Sequence, residues 1–338
     1  MKEIISWIES TGFAPAWFVA IFVAGSFLMI WRLEAMNKSG LEGTVLGTLV
    51  MPYCSGAGNL AFAFIMGYKN PGGAASEVIT NALVNNVTNL TLLLGLPAIF
   101  WRMGVFPETK AKAKAKAKKK KPEPPVHELH RLTLLLTLTA GVFFTGAVWA
   151  LGRDGKIVFG DGLVLIGLFL FWQCFHVFEV LKSNVRQNKS LTRKLPIDLA
   201  LLGIGTWAIY VSTNWLVAWI CASRSGFINA DHLGWLSGWL MVLPNGLLAF
   251  YYARRGNPEV VYTSQVGDGH ISIPLSIGIL SLYRNVDLPA FFFTGAKILF
   301  LAYALHFLFI AVLGRLPRAM GVVLTLAYLV FLAAGLGK

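Results

Sequence analysis

Four side chains in the stretch Glu259–Gly278, EVVYTSQVGDGHISIPLSIG, have the types and spacing to act together: Ser264, Asp268, Ser272 and Ser276. They recur at every fourth position. Side chains four apart share one face of a helix, so these draw a polar stripe down an otherwise apolar rod, with Asp268 near its middle. A carboxylate at membrane depth is costly and by default marks an ion, proton or substrate pathway. The bland alternative is a structural aspartate hydrogen-bonded to a neighbouring helix.

A counterpart occurs in Thr80–Gly95, TNALVNNVTNLTLLLG, where Asn81, Asn85 and Asn89 also recur every fourth residue. Setting Asn89 opposite Ser272 offsets the two stretches by 183 residues. Asn81 then faces Ser264, Asn85 faces Asp268 and Gly95 faces Gly278. Asn-Pro pairs, Asn70-Pro71 and Asn257-Pro258, precede both stretches. Upstream of each is a Pro/Gly-interrupted apolar segment with an asparagine: Asn59 in Met51–Phe64 and Asn245 in Leu243–Tyr252. Paired broken helices in two halves of a membrane protein point to a transport site. Asp268 reads as the one deep acidic side chain on either stripe.

These stripes need a bilayer around them, and the composition supplies one. Of 338 residues, 56% are hydrophobic and 13% charged, against about 25% charged in soluble domains; mean hydropathy is +0.64. This excludes a soluble domain. The N-terminus has acidic residues and no compact apolar core before a cleavage site, so the first span is expected to stay. Cys54, Cys174 and Cys221 have no paired metal-ligand spacing and read as small packing residues.

Ten apolar spans can be drawn, at about 14–35, 41–67, 74–101, 131–151, 158–182, 196–221, 231–253, 259–283, 287–313 and 316–336. Each approaches the roughly 20 residues that a bilayer requires, and spans in lipid must be helices or closed barrels. The predicted fold is all-α: a polytopic membrane protein of ten transmembrane helices. Five spans precede Lys189 and five follow, with the stripes in the third and eighth. An odd number of crossings per half inserts the second half upside down. The expected organisation is therefore two inverted five-helix repeats, 14–182 and 196–337.

Charge sets the expected orientation. With the N-terminus outside, most of the 29 Lys and Arg fall in inside loops, and the bias survives removal of the lysine-rich arm Lys110–Lys121. Both termini then face out, and the loop 103–130 faces the cytoplasm. That arm, KAKAKAKAKKKK, should be a disordered, self-repelling segment. Anionic lipid or an acidic partner could meet it; a solvated linker is the simpler reading, and no nucleic acid is expected. The intramembrane residues Glu179, His176, His270 and Lys297 read as snorkelling, packed or cavity-facing groups.

The residues resemble the calcium/cation antiporter superfamily, which includes the sodium/calcium exchangers. Leu243-Pro244-Asn245 looks like that family's L-P-E with asparagine for glutamate, Gly256-Asn257-Pro258-Glu259 fits its G-x-P-D turn, and Val266-Gly267-Asp268-Gly269 falls where V-G-S-N would. In the first half, Leu41–Asn59 resembles the approach to the first motif and Val87–Gly95 its end. The resemblance implies ten spans in inverted repeats, alternating access, and a cation site at the midplane between helices 2, 3, 7 and 8. It carries the ligand positions onto Ser55, Asn59, Asn85 and Asn89 in the first half and Asn245, Asp268 and Ser272 in the second. The family's paired glutamates correspond to Asn59 and Asn245, which leaves Asp268 as the charged metal ligand, with Asn59 and Asn245 as neutral ones.

Calcium affinity follows ligand charge count, so one carboxylate suits a monovalent ion or a proton better than calcium. The expected function is a cation antiporter carrying Na+, Ca2+ or H+ across a bacterial-type inner membrane. No cofactor and no enzymatic activity are expected. Two other readings stand beside it: a non-transporting membrane scaffold or regulatory relative, motivated by the missing glutamates, and a transporter of a polar organic solute, motivated by the asparagines. Ion-dependent flux in sealed vesicles discriminates the first, and solute competition the second.

Overall fold

The computed structural model describes residues 2–38, 53–54, 56–69, 74–101, 103–104, 126–184, 195–224 and 226–337. Ser55 and the lysine arm Lys110–Lys121 lie outside the described residues. The rest is helical apart from short strands and turns. In chain order the helices are α1 Lys2–Ser10, α2 Ala14–Lys38, α3 Ala57–Phe64, α4 Ser76–Val87, α5 Leu93–Phe100, α6 Val126–Leu151, α7 Phe159–Asn184 and α8 Leu195–Ala222. They continue as α9 Leu233–Arg254, α10 Pro258–Gly267, α11 Gly269–Ile271, α12 Ile277–Tyr283, α13 Phe292–Leu313 and α14 Arg318–Leu336.

Among the described residues, eight helices are long and apolar enough to cross a membrane. They coincide with eight of the expected spans. Large apolar side chains, among them Trp31, Phe171, Phe178 and Val312, stand exposed on their outer faces, as lipid-facing surface does. The chain is an all-α integral membrane protein with multiple spans. The two remaining stretches are interrupted. The second is described only from residue 53, where α3 runs into a π-helical turn at Ile65–Lys69. The eighth is built from α10, α11, a π-helical turn at Ser272–Ser276 and α12. Gly267 and Gly269 flank Asp268 there, and Pro274 lacks an amide hydrogen, so a regular ladder cannot run through. The third span is interrupted in the same way, by a π-helical turn at Thr88–Leu92 between α4 and α5. The Thr91 hydroxyl donates to the Val87 carbonyl in that turn.

Two compact units are present, each assembled from three stretches of chain. The first holds Met1–Val84, Leu151–Pro244 and His270–Pro289. Inside it, α2 and α8 pack antiparallel. Phe18 stacks on Trp215 at 4.2 Å at one end, Gly25 meets Gly205 and Ala208 in the middle, and Arg32 pairs with Asp198 at 3.3 Å at the other. Helix α7 lies on α12, where a Cβ at Gly278 would come 3.1 Å from the Gly162 carbonyl oxygen. Small residues let membrane helices approach to van der Waals contact, which is what holds them together in lipid. The two-residue strands β2 (Lys156–Ile157) and β3 (Val286–Asp287) pair antiparallel beside them.

The second unit holds Asn85–Ala150, Asn245–Gly269 and Ala290–Lys338. Here α5 lies on α14 through Gly95 and Gly321. Strands β1 (Met103–Gly104) and β4 (Arg315–Leu316) pair antiparallel next to that contact. Arg131 at the start of the α6 span donates to the Ala311 carbonyl at the end of α13. Deep in this unit, His306 of α13 is fully buried: one ring nitrogen meets the Leu90 carbonyl at 2.8 Å and the other the Tyr262 hydroxyl at 3.2 Å. A carbonyl only accepts, so Nε2 carries the proton and Nδ1 accepts from the tyrosine. None of the three cysteines is in a disulfide; Cys174 is exposed on α7 rather than packed, correcting the reading of all three as packing residues.

Candidate functional site

The π-helical turn at Thr88–Leu92 inserts an extra residue into the third span. π-bulges re-aim side chains and occur often at functional sites. This one carries Asn89, which is completely buried. Its amide nitrogen donates to the Asn85 side-chain oxygen at 3.1 Å and to Asp268 Oδ2 at 3.2 Å. Asp268, 3% exposed, follows the last residue of α10 and precedes Gly269, so it projects from a break rather than from mid-helix. The Asn245 amide, one residue beyond the helix-internal Pro244, donates to the same carboxylate oxygen. Gln265, one turn before Asp268, donates to the Asn245 main-chain carbonyl at 3.2 Å.

Four of the residues singled out from sequence, Asn85, Asn89, Asn245 and Asp268, thus lie in one hydrogen-bonded cluster within the second unit. Neutral amides from two other segments orient the carboxylate without cancelling its charge. Several polar atoms of the cluster stay buried and unsatisfied: Asn85 Nδ2, Asn89 Oδ1 and Gln265 Oε1 have no hydrogen-bond partner. Buried polar atoms are almost always paired, and an orphan at such a place calls for a ligand or water. Two of the three are amide oxygens, and one of them, Asn89 Oδ1, belongs to an amide bonded to the carboxylate; oxygen is the donor type that hard cations take. Among the described residues no group of three or more His, Cys, Asp or Glu side chains could hold a metal ion.

The first unit holds the other candidates that are described. Asn59 on α3 is 3% exposed and its side-chain oxygen has no partner. Ser272, in the π-helical turn of the eighth span, is fully buried. Asn81 donates to the Ser237 hydroxyl at 3.0 Å. The structure also extends the first stripe by one turn: Glu77, four residues before Asn81, is 9% exposed and accepts from the Gly234 main-chain N–H at the start of α9. Asp268 is therefore not the sole buried acid on the stripes. The i−4 spacing of Glu77 could have revealed it. Gln265 stands next to a stripe residue, and its role was hidden because one position along a helix turns the side chain by about a quarter circle.

Against known proteins, the pattern of the family described as "Sodium/calcium exchanger protein" matches residues 13–178. Those residues, just under half of the chain, carry the pattern of the sodium/calcium exchanger family. It is a family of membrane cation antiporters, which are transporters and not enzymes. No curated protein matches the chain. Among solved structures, the chain is similar to the sodium-calcium exchanger NCX_Mj soaked with 2.5 mM Na+ and 10 mM Sr2+, with a TM-score of 0.59 and 19% identity over 94% of this chain and 95% of that one. NCX_Mj soaked with zero Na+ and Ca2+ gives the same four values. NCX_Mj at 10 mM Na+ and zero Ca2+ gives a TM-score of 0.53 and 18% identity over 93% of this chain and 99% of that one. At such identity the likeness is one of fold: the chain has an exchanger fold over nearly its whole length.

Proposed function

We propose that this exchanger-family protein is a secondary antiporter that binds its transported cation at Asp268, with Asn85, Asn89 and Asn245 as neutral partners. The observation that carries the reading is the buried Asp268 carboxylate held by two amides among unsatisfied oxygens. A carboxylate taken out of water is costly unless a proton or cation stays with it. A site with a single carboxylate, and asparagine where the family resemblance places glutamate, favours a monovalent cation, with a proton as its competitor.

The proposed architecture is ten helices in two inverted five-helix repeats working by alternating access. Matching features recur at the offset of 183 residues. Gly95 and Gly278 each carry a close helix contact, and Met103 and Val286 each begin a strand. The π-helical turns begin at Thr88 and Ser272, within one residue of the same offset. Their partners match as well: Gly321 and Arg315 stand to Gly162 and Lys156 at one common offset, 159 residues. Termini outside and the lysine arm inside complete the proposed topology, in a bacterial-type inner membrane.

The test is flux into liposomes of purified protein under sodium, potassium, calcium and proton gradients, with Asp268→Asn alongside. Cation-coupled flux that Asp268→Asn abolishes in a protein of unchanged melting temperature supports the reading. Equal flux in both sinks it, and no flux under any gradient favours the scaffold alternative.

A further inference from the structure

One more side chain beside the Asp268 break comes from α13. Tyr303 is fully buried, and its hydroxyl has no hydrogen-bond partner. Two glycines make room for it. A Cβ at Gly141 of α6 would overlap the tyrosine ring, and one at Gly269 would overlap the hydroxyl itself. Gly269 is the residue after Asp268, and the same imagined Cβ would lie 3.0 Å from the Asn86 side-chain oxygen. The phenol is therefore threaded between two helices until its oxygen stops against Gly269, the residue after Asp268.

Packing alone does not explain this arrangement. Phenylalanine would fill the same slot without burying an unsatisfied hydroxyl, and an orphaned buried hydroxyl is destabilising. The absent methyl at Gly269 makes room first for the oxygen, which an imagined Cβ would overlap, while the nearest ring carbon would be 3.2 Å away. A neutral hydroxyl oxygen packed against the residue that follows a buried carboxylate, with an amide oxygen at the same place, is the kind of donor that a hard monovalent cation takes.

We infer that Tyr303 is a cation ligand of this site, its phenolic oxygen joining Asp268 in holding the transported ion. The inference rests on the reading of Asp268 as the ion carrier and adds the ninth span to the helices that build the site. An oxygen supplied from α13 makes the affinity of the site depend on how α13 seats against the Asp268 break.

The experiment compares wild type, Tyr303→Phe, Gly269→Ala and Asp268→Asn, purified and reconstituted, with sodium, potassium and calcium chloride each titrated alone by calorimetry and by vesicle flux. Tyr303→Phe removes one oxygen and keeps the ring. Its apparent affinity for the bound cation should fall about five- to twentyfold while the maximal rate stays within about twofold. Gly269→Ala should lower affinity in the same direction by pushing the hydroxyl aside, and it serves where Tyr303→Phe does not fold. Wild-type affinity in a folded Tyr303→Phe, or in Gly269→Ala if only that variant folds, overturns the assignment and leaves Tyr303 a packing residue. If Asp268→Asn binds and carries the cation like wild type, the Asp268 reading itself fails, a result distinct from a failure of Tyr303 alone.

Discussion

Gly95 and Gly321 touch backbone to backbone: a Cβ on Gly321 would come 2.6 Å from the Gly95 carbonyl oxygen, and one on Gly95 2.9 Å from that of Gly321. No real Cβ fits at such distances beside main-chain atoms, so α5 and α14 would have to separate. Gly321→Ala is expected to destabilise by about 1–3 kcal/mol, as overpacking does. Gly167, with nothing within 4 Å of its imagined Cβ, is the control. Gly167→Ala should be neutral or gain a few tenths of a kcal/mol from helix propensity. Melting of the detergent-solubilised protein reads both, and equal melting of the two variants would contradict the contact.

Charge at Asp268 should govern cation binding. Asp268→Asn keeps the size and leaves the helix breaks as they are, but removes the charge, so binding should fall to background. Asn245→Glu places a second carboxylate next to the first. Two like charges at hydrogen-bonding distance hold a divalent ion better than a monovalent one. Calcium affinity should rise at least tenfold relative to sodium. A proton on Asp268 cancels its attraction, so acidification should weaken wild-type cation binding and leave Asp268→Asn indifferent to pH. Calorimetry across pH checks all three outcomes.

His306 ties α10 and α13 to the bulge that carries Asn89. His306→Ala leaves the Leu90 carbonyl and the Tyr262 hydroxyl without this partner beside a cavity, and should cost about 2–4 kcal/mol. Tyr262→Phe removes only one bond, about 1 kcal/mol. Because the two share a network, the double variant should be less damaging than the sum, with a coupling of about 0.5–2 kcal/mol. Strict additivity in a double-mutant cycle would show that the histidine and tyrosine act separately.

Topology has its own check. The lysine arm Lys110–Lys121 should be cut by trypsin added to inside-out vesicles and spared in intact cells. A tag placed after Lys338 should show the opposite. Cutting from the outside of intact cells would reverse the proposed orientation.

Much of this molecule is written locally. Apolar runs of about 20 residues dictate spanning helices, because lipid offers the backbone no hydrogen bonds. The fourfold spacing of Asn85 and Asn89 put them on one face, whereas Ser264 to Ser276 read as a stripe on one continuous rod and the structure breaks that rod at Asp268. Even the offset linking Gly95 to Gly278 could be read before either glycine had a partner. The sequence could not say that Asn89 and Asn245 both turn their amides to one oxygen of Asp268, nor that a bulge at Thr88–Leu92 is what aims the first of them. Glu77 was there to be read from its spacing, but Gln265 and Tyr303 were missed for related reasons. Tyr303 sits in an apolar span with no polar stripe, and its importance comes from glycines 162 and 34 positions away, at 141 and 269. Periodicity reports which side chains share a face of one helix. Which faces meet, and which buried oxygens are left without a partner, depends on close packing between segments far apart in the chain, and only the tertiary structure decides that.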